Sequence, residues 1–143
     1  MNYFTSTKAI PAATNIVMLL VRIFMGISMI LLHGMPKIEK YFAGGEIKFF
    51  NFLGMGATAS LILAIIIEIG CSILIMLGLF TRVACAILVF TMLIAAFGVH
   101  LGDGFKVMEM SLLYLVIYSL IWAFGPRDYS VDAMISKRRE SRW

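Results

Sequence analysis

The sequence predicts an all-α integral membrane protein: a bundle of four transmembrane helices, with an interfacial or re-entrant segment after the first helix and a short basic surface helix near the C-terminus. Three observations carry this. Hydrophobic residues make up 62% of the 143 positions and charged residues only 14%, with a mean hydropathy of +0.97. Four apolar runs recur along the chain, each of a length suited to a hydrocarbon core of about 30 Å at about 1.5 Å per helical residue. The links between them are short and carry glycine, proline and charge, which leaves no room for a separate soluble domain, so residues 1–143 read as one domain.

The first run covers about residues 16–32 and contains Arg22 and Gly26. His33-Gly34-Met35-Pro36 follows it and predicts a helix end with a fresh start just beyond, since glycine suits a helix C-terminus and proline a first turn. The run is expected to be retained rather than cleaved, because no small-x-small site follows it. Residues 37–53 mix Tyr41, Phe42, Phe49, Phe50 and Phe52 with Lys37, Glu39, Lys40, Glu46 and Lys48, too polar a blend to span. This is the interfacial or re-entrant segment.

The second run, residues 58–80, is 23 residues long and holds one ionisable group, Glu68, near its middle. A tight turn at Thr81-Arg82 leads to the third run, residues 83–99, and His100–Lys106 links to the fourth, residues 107–124, which carries Glu109, Tyr114, Tyr118 and Trp122. Gly125-Pro126 stops that helix. Ser130 then reads as the N-cap of a basic surface helix over residues 131–139.

The net charge of +4 comes mostly from Lys137, Arg138, Arg139 and Arg142 at the C-terminal end, a cluster suited to anionic lipid rather than nucleic acid. Counting Lys and Arg outside the spans gives seven on the side of both termini (with Lys8, Arg82 and Arg127) and four opposite (Lys37, Lys40, Lys48 and Lys106). The bias places both termini in the cytoplasm. Cys71 and Cys85 lie in apolar spans and carry no information on redox compartment.

A carboxylate midway through a span costs several kcal/mol if charged and unpaired, so Glu68 must face protein or water. With the first span ending at His33, Arg22 and Glu68 fall at nearly equal depth, about 15–17 Å from the outer side. An Arg22–Glu68 pair is therefore expected, serving either function or only helix packing. A second polar layer sits at the outer rim: His33, His100, Glu109 and Asp103. Arg22 and His33, 11 positions apart, project from one face of the first helix, so rim and midplane are expected to line one outward-opening polar cavity. The plainer reading is the polar punctuation that any helix end needs. No metal site is expected: His33, His100 and Glu109, or Met25 and Met29 with His33, lack a tight ligand spacing, and methionine at helical intervals is usually packing.

The motifs in order are R-x(10)-H-G-x-x-K from Arg22 to Lys37, E-x(9)-G-L-F-T-R from Glu68 to Arg82, His100, E-x-x-L-L-Y-L from Glu109, and G-P-R-D-Y-S-V-D from Gly125. Together they resemble the DoxX family of small bacterial four-helix membrane proteins, over nearly the whole chain. The resemblance implies a bacterial inner-membrane protein associated with redox chemistry, since relatives include the membrane subunit of an archaeal thiosulfate:quinone oxidoreductase and a protein that assembles with superoxide dismutase and a thiosulfate sulfurtransferase. On this basis Arg22, His33, Lys37, Glu68, His100 and Glu109 form the candidate ligand-binding or proton-exchanging set, with a quinone or lipid-like molecule as the ligand. Membrane lipid, a soluble or membrane redox partner and a second copy of the chain are the partners to consider; nucleic acid is not. Two other readings stand beside this one: a non-catalytic anchor that assembles soluble redox enzymes, and a small transporter or proton pathway. Whether the chain is itself an enzyme subunit is open at this stage, because it has no chromophore motif or cysteine pair with which to carry electrons alone.

Overall fold

Four helices of this chain are long and apolar enough to cross a membrane, and together with their links they form the computed structural model, which describes residues 11–140. We number them α1 (Pro11–Phe42), α2 (Ala57–Leu77), α3 (Thr81–Val99) and α4 (Phe105–Phe124); a fifth helix, α5 (Val131–Glu140), follows. Among the described residues there is no strand. Consecutive helices are neighbours, as short links require of an antiparallel bundle: α1 packs on α2, α2 on α3, and α3 most extensively on α4, while α4 closes back on α1 through a thinner contact.

Each helix buries one stripe and turns the rest of its apolar surface outward. On α1 the stripe is Met18, Arg22, Met25 and Met29; on α3 it is Thr81, Ala84, Cys85, Leu88, Met92 and Ala96. Phe24, Ile66, Val83, Phe90 and Trp122 are all exposed from the bundle. In water that much exposed apolar surface would be a liability, whereas hydrocarbon is the solvent it fits. The protein is a multi-pass membrane protein.

The turn between α2 and α3 shows why its sequence is Gly-Leu-Phe-Thr-Arg. Gly78 sits in the left-handed region at φ +70°, its N–H donates to Ile75 O, and the Leu79 N–H reaches back to Leu74 O. This paired closure of a helix end calls for a residue without a Cβ. A Cβ there would also lie 2.1 Å from Arg22 Nη1 and 2.5 Å from Ser130 Cβ.

The first helix departs from expectation. It does not end at His33-Gly34 but runs on to Phe42 through a π-helical turn at Ile30–Gly34. Pro36 has no N–H to give to the carbonyl four residues back, and its ring crowds that carbonyl. The wider turn accommodates it, with the Met35 N–H donating to Ile30 O. Gly34 serves close packing rather than termination: a Cβ on it would stand 2.7 Å from Ile69 Cγ1 of α2.

The segment expected to be interfacial therefore divides. Residues 37–42 belong to α1, and residues 43–51 form a strap without helix. The strap is pinned to the start of α2, where the Phe52 N–H donates to Ser60 Oγ and Asn51 Oδ1 accepts from the Gly56 N–H. Lys8 and Arg142, which enter the charge bias, lie outside the described residues.

At the opposite end Ser130 caps α5 as the sequence indicated, accepting from the Ala133 N–H at 3.1 Å. Asp132 then locks this helix to the α2–α3 turn: its carboxylate accepts from the Phe80 N–H, the Thr81 N–H and the Thr81 hydroxyl, while its own N–H donates to Gly78 O.

Candidate functional site

Glu68, on the face of α2 that packs against α1, is buried, and its partner is Lys37. Lys37 Nζ lies 2.8 Å from Glu68 Oε2 and donates a second bond to His33 O at 3.2 Å. The lysine is the more accessible member, its side chain 20% exposed against 5% for the glutamate. A carboxylate so placed needs an opposing charge, and the Lys37 ammonium supplies it.

The π turn of α1 is what brings Lys37 there. The inward stripe steps from Met18 to Arg22, Met25 and Met29 at ordinary helical intervals. It then steps five residues to buried Gly34, and three more to Lys37. A turn with one extra residue rotates everything beyond it by about 100° around the axis. An uninterrupted helix would have carried the stripe through His33 and Pro36 instead.

Aromatic rings continue the site from His33 toward the bundle centre. The His33 ring meets the Tyr114 ring edge-on, with centroids 5.0 Å apart and planes at 90°. Tyr114 stacks on Tyr118 at 5.9 Å, and the Tyr118 hydroxyl points at Met25 O, 3.5 Å away. Tyr114 and Tyr118 are both buried on α4, so this column ties α1 and α4 together. Ser72, on α2, is fully buried, and among the described residues its hydroxyl has no hydrogen-bond partner.

Arg22 does not pair with Glu68. The packing of α1 on α2 sets the register: Gly26 lies against Ser72 and Met76, and Gly34 against Ile69. Arg22 therefore faces the Gly78 turn, and Glu68 faces the Gly34–Lys37 turn. The equal depths followed from ending the first span at His33; the helix continues to Phe42, which moves its outer end by nine positions. Arg22 is fully buried at the end of the bundle that carries α5, where its Nη2 donates to Tyr129 O. Among the described residues its Nε and Nη1 have no hydrogen-bond partner, and Asp132 acts on it electrostatically.

The outer-rim group also separates. His100 Nδ1 pairs with Asp103 Oδ2 at 2.8 Å inside the α3–α4 link, and Glu109 is exposed on α4. Among the described residues neither His100 nor Glu109 bonds to His33, Lys37 or Glu68, and no three His, Cys, Asp or Glu side chains converge as they would around a metal ion. Between Arg22 and the Gly34–Lys37 turn the inward stripe of α1 carries Met25 and Met29, 4% and 0% exposed. Packed methionine thus divides the two polar layers that a single cavity was expected to join.

Of the six residues singled out in the sequence, the structure brings three together: His33, Lys37 and Glu68. Tyr114 and Tyr118 belong with them, although the sequence marks them only as residues of the fourth run. The E-x-x-L-L-Y-L motif holds Tyr114, but nothing in its spacing says that the ring meets His33.

With this geometry in place, comparison with known proteins gives one match. The family model DoxX matches residues 17–101, which takes in most of α1, the strap, α2 and α3. No curated protein and no solved structure matches the chain.

Proposed function

Because the chain belongs to the DoxX family, whose members are membrane proteins, we propose that its Lys37–Glu68 centre receives the polar head of a quinone or similar lipophilic ligand, in a redox-linked role with a partner protein. The observation that carries this reading is the buried ion pair itself, set beside the His33 ring with its lysine partly open to the rim. A buried ion pair is weak evidence for stability, and ionisable groups inside a membrane more often serve a ligand or a proton. On this reading the ligand head stops above the buried Met29 and does not reach Arg22.

Each group has a role on this reading. The Lys37 ammonium donates to a ligand carbonyl oxygen, Glu68 holds the ammonium in place and exchanges the proton, and the His33 and Tyr114 rings flank the head group. Reduction of a quinone to a quinol takes two electrons and two protons; the electrons come from the partner, and Lys37 with Glu68 passes the protons from the rim. π-helical turns recur at functional sites, and this protein has one in α1 beside the pair and a second at Ile94–Val99 in the same half of α3. The setting is the bacterial inner membrane with both termini cytoplasmic, as the charge bias favours.

A titration of delipidated protein in detergent with a short-chain quinone tests this. Saturable binding is expected, weakened about tenfold by Glu68→Gln, which removes the charge that orients Lys37. Absence of saturable binding to the unmodified protein contradicts the proposal.

A further inference from the structure

At the end of the bundle opposite the Lys37–Glu68 centre, two arginines border a polar cleft of about 430 Å³ between the start of α1 and the turn after α4. Arg82 and Arg127 line it with Asn15, Gly125 and Asp128. Both arginines are exposed, and among the described residues neither forms an ion pair. Among the described residues the lining holds two guanidinium groups against one carboxylate, Asp128, which accepts a hydrogen bond from Asn15 Nδ2 at 2.6 Å, so the cleft is net positive. Its geometry is held from both sides. Ser130 Oγ donates to Arg127 O at 2.6 Å, and the Arg82 guanidinium lies over Gly125, 3.4 Å from where a Cβ would begin.

Arg82 also lines a second cleft. Below it, toward the centre of the membrane, a groove of about 470 Å³ runs between α3 and α4, walled by Val83, Ile87, Phe90 and Trp122. One guanidinium thus stands at the junction of a positively charged pocket and an apolar channel in the lipid-facing surface.

We infer that this junction is a binding site for an anionic phospholipid, with the phosphodiester between Arg82 and Arg127 and an acyl chain in the α3–α4 groove. The guanidinium fork matches phosphate oxygens and is weakly enough hydrated to work at an interface. The adjoining groove accepts a chain that a free phosphate lacks, which commits the site to lipid. Neither arginine takes part in the Lys37–Glu68 centre, so this inference stands or falls separately from the proposed function.

The test uses purified full-length protein in mild detergent, with lipid retention read by native mass spectrometry. Phosphatidylglycerol and phosphatidylcholine of identical acyl chains compete, and soluble glycerol phosphate is added in a separate arm. Phosphatidylglycerol is expected to be preferred by at least about fivefold, and Arg82→Gln and Arg127→Gln are each expected to remove about that factor. The double change Lys137→Gln with Arg139→Gln, which lowers the tail charge, is expected to leave the preference intact, and glycerol phosphate is expected not to compete. Phe90→Ala, in the groove wall, is expected to weaken retention of both lipids. Circular dichroism confirms folding; should Arg82→Gln not fold, Arg127→Gln on the surface turn carries the same comparison. Equal retention of the two lipids, an equal loss in the tail variant, or displacement by glycerol phosphate overturns the inference.

Discussion

Lys37 and Glu68 set the terms at the scale of single residues, because their pairing is what makes a charge tolerable at that depth. Removing one partner leaves the other buried and uncompensated, whereas removing both leaves an apolar contact that packs well. Lys37→Met is thus expected to destabilise the protein by about 3–5 kcal/mol, and adding Glu68→Leu to restore most of that loss. Unfolding in mixed micelles measures both. The same cycle run between Arg22→Leu and Glu68→Leu is expected to be additive within about 0.5 kcal/mol, since the two residues occupy opposite layers. The sequence marked Glu68 as a costly group but gave it Arg22 as partner instead of Lys37. Depth was counted from a helix end that does not exist, and the Met29-to-Gly34 step that redirects Lys37 is invisible to a regular 3.6-residue period.

At the scale of elements, the α2–α3 turn and α5 hold each other. The Asp132 carboxylate caps the first N–H groups of α3, which helix geometry leaves without internal partners, and the Asp132 N–H returns a bond to Gly78 O. The Arg22 guanidinium lies under the same junction, against the Tyr129 carbonyl. Asp132→Ala should cost about 1–2 kcal/mol and free α5 from the turn. Amide exchange checks this through faster exchange at Phe80, Thr81 and residues 131–140, with the Glu68 region unchanged. The four helices were legible because each is a long apolar run, and α3, α4 and α5 begin or end within two residues of their expected positions. Ser130 was legible as a cap from its place before a basic run. Asp132 was not, since its contacts are with residues more than 50 positions away.

At the scale of the whole molecule, the bundle holds two polar layers separated by a packed methionine floor: Lys37, Glu68 and His33 at one end, and Arg22 beneath the Gly78–Asp132 junction at the other. Composition alone established the membrane class, because 62% hydrophobic residues in four long runs leave little else for the chain to be. The division into layers had to come from the structure, since helix register is set by contacts such as Gly34 on Ile69 that no spacing in one helix reveals. The proposed function places the ligand at the first layer and nowhere near the second. Photo-crosslinking with a quinone analogue that carries a reactive group on its ring, followed by peptide mapping, tests that placement most directly. Saturable labelling is predicted between residues 33 and 41 and around Tyr114, competed by unmodified quinone and needing about tenfold more probe in Glu68→Gln. Labelling spread over the lipid-facing residues, or unchanged in Glu68→Gln, contradicts it.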